Sequence, residues 1–256
     1  MTPSVLFVHG AFCRGAAWRG WQGRFEARGF RTLAPDLRHH DPRPGAAPDP
    51  RLAATSMGDY LADLMRLIES LGEKPVIVGH SLGGLLAQML AARGHASACV
   101  LLAPSSPWGI PPATADQAMA ALGLARAGAF WDMALVPAFE IAATNSLNRL
   151  SPETQKEVFG LFVPESGRAL FEVLYWAMDV ERRTEVDEHA IDCRMLAVTG
   201  EDDLICPPQA LVPLARKYAP LLETKTLQGH AHWLLTEPGW EAVADRILDW
   251  VERTVG

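Results

Sequence analysis

The chain reads as an α/β protein: a mostly parallel sheet flanked by helices, with a helical cap inserted after the fourth predicted strand. Three observations predict this. Short apolar runs rich in β-branched residues alternate with helix-length runs. The pentapeptide Gly79-His80-Ser81-Leu82-Gly83 sits where one such strand meets a helix. The alternation stops at Ser105, resumes after Ala190, and leaves 86 residues between.

Each element follows from local chemistry. Predicted strands cover residues 5–8, 31–34, 76–79, 99–103, 195–199 and 223–227. Most are apolar on both faces, as strands covered by helices on each side must be. Predicted helices lie near 18–28, 57–70, 82–93, 209–218 and 238–253. Ser56 is the expected N-cap of the second, with Asp59 three residues on. Gly94 is expected to close the third in a left-handed conformation. Residues 41–50, rich in proline and alanine, read as an exposed loop.

This assigns residues 1–104 and 191–256 to the core and 105–190 to the cap. The cap shows helical segments and no convincing strand, and Ser151-Pro152 marks one helix start. It is rich in aromatic side chains. Most should pack its own interior, and a minority should line an apolar pocket above Ser81, with Phe12, Trp108, Trp131, Trp176 and Trp233 as candidates.

Bulk properties narrow the function. A chain of 256 residues with 49% apolar and 21% charged residues can bury a sizeable core. A net charge of −7 argues against nucleic acid or an anionic membrane as partner and leaves a small-molecule substrate. The start of the sequence has neither a basic n-region nor a long apolar run, and no stretch is long enough to span a membrane, so a cytoplasmic location is expected. Cys13, Cys99, Cys193 and Cys206 form no C-x-x-C pair and read as reduced thiols. No metal or cofactor is expected: His39-His40-Asp41 has no supporting ligand cluster. An apolar cap can also pair two copies as a homodimer.

The chemistry centres on Ser81. A serine hydroxyl needs a base within hydrogen-bond reach, and the base needs a partner that fixes its tautomer. The acid comes from Gly200-Glu201-Asp202-Asp203, where Asp203 is the first choice, Asp202 the second, and Glu201 a solvated turn residue. The base comes from Gly229-His230-Ala231-His232-Trp233, where His232 is favoured and His230 is the alternative, more suited to bracing the loop. The N–H groups of Leu82 and Ala11 are the expected oxyanion donors, each worth roughly 3 kcal/mol in the transition state. His9 reads as a brace for the loop after the first strand, and Asp36 as structural.

Together these pieces resemble the α/β-hydrolase superfamily, in its cap-bearing group of esterases. The matching pieces are His9-Gly10, Ala34-Pro35-Asp36, Gly79 to Gly84, Gly200 to Asp203 with Pro207, and Gly229 to Trp233. The resemblance implies that the acid is the last residue of the G-x-x-D turn and the base is the histidine before the aromatic, which favours Asp203 and His232. The run from His9 to Trp18 looks like the opening of the plant methyl-esterase and hydroxynitrile-lyase branch. The lyases need a cap lysine and a hydroxyl beside the oxyanion loop, whereas here Gly10 follows His9 and Lys156 is the cap's one lysine. Relatives that use an elbow aspartate, the dehalogenases and epoxide hydrolases, are disfavoured by Ser81.

The expected function is a serine hydrolase that cleaves a small to medium, moderately hydrophobic carboxylic ester through an acyl-enzyme. The same triad would serve a thioesterase, lactonase, C–C bond hydrolase or perhydrolase. A non-catalytic small-ligand sensor is the alternative of another class.

Overall fold

The structure is a computed structural model that describes residues 3–40, 47–115, 117–118 and 128–256. The first six residues of the predicted loop 41–50, and part of the first half of the predicted cap, lie outside the described residues.

The main sheet contains β1 (Val5–Val8), β2 (Thr32–Leu33), β3 (Val76–His80), β4 (Ala98–Leu102), β7 (Arg194–Gly200) and β8 (Leu222–Leu227). Its order is β2-β1-β3-β4-β7-β8, and every pairing is parallel. Side chains alternate across it. Val5 and Phe7 join one apolar cluster with Trp18, Trp21, Phe25 and Ile247. Leu6 and Val8 join the other with Tyr60, Leu64, Leu85 and Met89. This period of two explains why the strands read as continuous apolar runs.

The helices on the two faces are α1 (Arg19–Ala27), α2 (Met57–Leu71), α3 (Leu82–Ala91), α7 (Pro208–Lys217) and α8 (Trp240–Val255). The capping box at Ser56 and Asp59 is formed in both directions. Gly94 closes α3 with φ +72°. Boundaries shift where backbone chemistry forbids the predicted ones. The second strand shrinks to two residues because it lies at the sheet edge and runs into Pro35, which has no N–H to donate. The fourth ends at Leu102 because Ala103 turns to φ +44°. The last helix begins at Trp240 because Gly239 sits at φ +89°.

Between β4 and β7 lie α4 (Phe139–Asn145), α5 (Pro152–Phe159) and α6 (Gly167–Leu174). Ser151 caps α5 through Thr154 N–H, as expected. One expectation is corrected. This stretch does contain strand, because β5 (Ala134–Leu135) pairs antiparallel with β6 (Glu165–Ser166). Two residues are too few to show a period-two pattern in sequence. Among the described residues no helix is long and apolar enough to cross a membrane.

Candidate active site

Ser81 occupies the junction of β3 and α3 with φ +53° and ψ −116°, a conformation rare for a residue with a side chain. The surrounding chain holds it there. Ser81 N–H donates to Leu102 O at 2.9 Å, and Ser81 O accepts from Gly84 N–H and Ser105 N–H. The turn closes this tightly because Gly79 and Gly83 lack side chains. A Cβ on Gly79 would lie 2.2 Å from Gly83 O, and one on Gly83 would lie 2.2 Å from Val8 O. Leu82 is the first residue of α3, so its N–H has no acceptor within the helix and points with the positive dipole end.

The loop after β1 faces the same spot, since a Cβ on Gly10 would meet Ser81 Cβ at 3.1 Å. His9 shapes this loop. Its Nε2 accepts Leu37 N–H at 3.0 Å, so the proton must sit on Nδ1, which donates to Gly10 O at 2.8 Å. Burial, and then the neighbouring His40, lower the pKa of His9 to about 4. A trans peptide points its C=O and N–H in opposite directions. Anchoring Gly10 O on His9 therefore aims the Ala11 N–H away from His9.

Asp203 and His232 meet. His232 Nδ1 lies 3.0 and 3.1 Å from the two Asp203 oxygens. Both residues are buried, as is Ser81. The Asp203 carboxylate also accepts Ile205 N–H and Cys206 N–H at 2.8 Å, and the Thr199 hydroxyl beside it donates to Cys206 O at 2.6 Å. Burial pushes its pKa up, but the His232 ring and these N–H groups outweigh that and hold it below the ordinary carboxylate range. With Nδ1 committed to Asp203, Nε2 is the atom of His232 left to act as a base.

The rival residues point elsewhere. Asp202 pairs with Arg149, and its carbonyl accepts from Asn148. His230 lies 3.2 Å from Glu237, and its carbonyl accepts Asp202 N–H at 3.0 Å. His80 links elbow and histidine loop: its Nε2–H donates to His232 O at 2.9 Å. Burial, and then His232, lower its pKa to about 3.

Sequence reasoning missed Glu237. Its wholly buried carboxylate accepts N–H bonds from Ala231 at 2.9 Å and Trp233 at 3.1 Å, the two residues flanking His232. Burial raises its pKa above the usual carboxylate range. In sequence it resembles any acid before a helix start, and no pattern separates it from a solvated one.

The aromatic candidates fall into two groups. Trp233 belongs to the site, packed against His80 at 5.8 Å and Phe162 at 5.4 Å. Phe12 follows Ala11 at φ +61°, and its carbonyl accepts Val163 N–H at 2.9 Å. Trp131 is 37% exposed and packs on Phe130 and Phe171. Trp108 and Trp176 lie in a different setting. They pack on each other at 5.3 Å, and Arg182 lies 4.3 Å over the Trp108 ring. Trp108 thereby faces a groove of about 1050 Å³ edged by Arg93, Glu181, Arg183 and Lys217, a charged setting unlike the apolar pocket expected of it.

The arrangement can perform acyl transfer: a strained serine at a helix N-terminus, a glycine loop facing it, and a buried histidine backed by a carboxylate. The family model described as the alpha/beta hydrolase family matches residues 5–246. The chain is similar to the non-heme chloroperoxidase of Burkholderia pyrrocinia, 26% identical over 252 residues that cover 91% of this chain and 86% of that protein. It is 33% identical to the pyrethroid hydrolase of Sphingobium wenxiniae over 87 residues, 34% of this chain and 30% of that relative's length. Its fold resembles the crystal structure of a methylesterase from Arabidopsis, with TM-score 0.71, 18% identity, and coverage of 99% of this chain and 98% of that one.

Proposed function

Because the chain belongs to the alpha/beta hydrolase family, we propose that it is a serine hydrolase that cleaves small to medium, moderately hydrophobic carboxylic esters through an acyl-enzyme. The observation that carries this reading is the buried His232–Asp203 pair, tied through His80 to the strained Ser81 that follows it in the chain.

In this mechanism His232 Nε2 takes the Ser81 proton as Oγ attacks the ester carbonyl. The oxygen's developing charge falls between Ala11 N–H and Leu82 N–H. Asp203 keeps the proton on Nδ1 and stabilises the imidazolium. His232 then returns its proton to the leaving alkoxide. Water, deprotonated by His232, attacks the acyl-serine, and the acid leaves. The described residues of the segment between β4 and β7 serve as a cap that limits the access of water to the acyl-enzyme.

The near full-length similarity to a protein named for chloroperoxidase activity favours one second reading. Hydrogen peroxide in place of water at the acyl-enzyme would release a peracid from the same triad.

Turnover of p-nitrophenyl esters of increasing acyl length tests the reading, with Ser81→Ala alongside. Turnover should depend on Ser81 and peak at a short to medium chain. Turnover unchanged by Ser81→Ala would overturn it.

A further inference from the structure

Outside this site the molecule buries a second group of ionisable side chains. Glu165, on β6 of the inserted segment, is wholly buried. One of its oxygens accepts the Tyr60 hydroxyl and Ser166 N–H, each at 2.7 Å. The other faces His40 Nε2 at 3.3 Å. The second nitrogen of His40, Nδ1, lies 3.2 Å from Arg38 O. Both ring nitrogens of His40 therefore face oxygens that only accept, and the ring satisfies both only as the imidazolium. Burial opposes that charge, but the Glu165 carboxylate and the backbone carbonyls outweigh it and raise the His40 pKa. The same contacts hold Glu165 ionised.

The pair adjoins the oxyanion loop. The His40 ring meets the His9 ring edge-on at 5.1 Å. His9 must stay neutral to accept Leu37 N–H while donating to Gly10 O, and a fixed cation beside it disfavours a second proton. Two residues before Glu165, Val163 N–H bonds Phe12 O in the same loop. One residue after it, the Ser166 hydroxyl donates to Thr55 O at the entry to α2. The inserted segment is thus fastened to the oxyanion loop by one backbone bond and, through His40, to the ring of His9 by one buried ion pair.

We propose that Glu165 and His40 are a positioning pair for the oxyanion loop: the inserted segment delivers a buried carboxylate that fixes His40 as a cation, holds His9 in its neutral tautomer, and so aims the Ala11 N–H at the reacting carbonyl. This rests on the reading of Ser81 as nucleophile and Ala11 as donor. Neither residue touches substrate. Among the described residues, the other ionisable groups near the pair are His9, Cys13 and Asp36 from the β1 and β2 loops, Tyr60 and Asp59 from α2, and the Arg38 guanidinium, itself paired with Asp59 and Asp63. Burial and the Glu165 charge raise the Cys13 thiol out of the working range. Burial does the same to Tyr60, with Glu165 adding to it. Among these described groups, the proposal assigns the alkaline limb to His40, whose pKa is raised by the Glu165 carboxylate.

The test is the pH profile of ester hydrolysis for wild type, Glu165→Gln and Tyr60→Phe. Glu165→Gln keeps the acceptor for Tyr60 but removes the charge. Its kcat at about pH 8 should fall about tenfold to a hundredfold while KM moves less than about threefold. The alkaline fall in kcat should begin about one pH unit or more lower, as a buried His40 without its carboxylate loses its proton earlier. Tyr60→Phe should lower the melting temperature and leave the alkaline limb in place. If Glu165→Gln does not fold, His40→Gln carries the test, with low kcat and no alkaline limb expected. An alkaline limb unmoved in Glu165→Gln or His40→Gln overturns the proposal, as does a Tyr60→Phe profile that shifts equally. Absence of Ser81-dependent turnover in wild type would overturn the hydrolase reading and this inference together. Ser81-dependent turnover with unmoved limbs would overturn the inference alone.

Discussion

Asp202 and Asp203 are neighbours in the chain and serve opposite sides of one turn. Asp203 turns inward to His232, while Asp202 turns outward to Arg149. The inner carboxylate is 2% exposed and holds a tautomer; the outer one is a surface ion pair, worth about 0–1 kcal/mol. Asp203→Asn should therefore lower kcat by roughly 10³-fold or more, by turning the histidine to the wrong tautomer. Asp202→Asn should stay within about threefold of wild type. Steady-state kinetics of the two variants check this, and equal losses would reassign the acid.

Glu237 holds the histidine loop from beneath. Glu237→Ala leaves the N–H groups of Ala231 and Trp233 buried without their acceptor, at about 1–3 kcal/mol for each group. Thermal melting should show that loss, and kcat should fall with it because His232 sits between the two freed groups. A variant as stable and as active as wild type would remove Glu237 from the account.

The elbow makes a steric prediction with its own control. Gly79→Ala puts a methyl 2.2 Å from Gly83 O and should strongly destabilise the fold or prevent folding. Gly23→Ala, within α1, meets nothing within 4 Å and should stabilise by about 0.5–1 kcal/mol. Denaturant midpoints of the pair decide it. A tolerated Gly79→Ala would mean the turn is looser than described.

Stability should peak near neutral pH. His9 and His80 have folded pKa values of about 4 and about 3, below the unfolded value near 6.5. Their contribution is full above about pH 6.5 and is lost as pH falls toward those folded values. Asp203, also depressed, contributes above its unfolded value near 3.9 and loses that contribution as pH falls through its folded pKa. His40 has a raised pKa, so its contribution is full below about 6.5 and is lost as pH rises through the folded value. Urea midpoints should fall from about pH 6.5 to about pH 4.5, with a smaller decline on the alkaline side. A midpoint that rises on acidification would contradict these assignments.

The parallel sheet, the elbow and the facing loops were legible because each rests on local pattern. Val5–Val8 and Val76–His80 are apolar on both faces, and Gly79-His80-Ser81-Leu82-Gly83 states its own turn. Inside the acid turn and the histidine loop the resemblance favoured Asp203 and His232, and these are the two side chains that meet. Buried polar support was not. Glu165, Glu172 and Glu237 are each wholly buried, yet an acidic residue in sequence reads as solvated, and only tertiary contact reveals its partners. The setting of Trp108 was hidden for a related reason: Arg182, which lies over its ring, is 74 positions away.

The central claim is that Ser81 is the nucleophile of a working triad. Its most direct test is peptide-level mass spectrometry after reaction with a fluorophosphonate. The account predicts one adduct, on Ser81, that is strongly reduced in Asp203→Asn and lost in His232→Ala. An adduct on another residue, or none in a folded wild type, would contradict it.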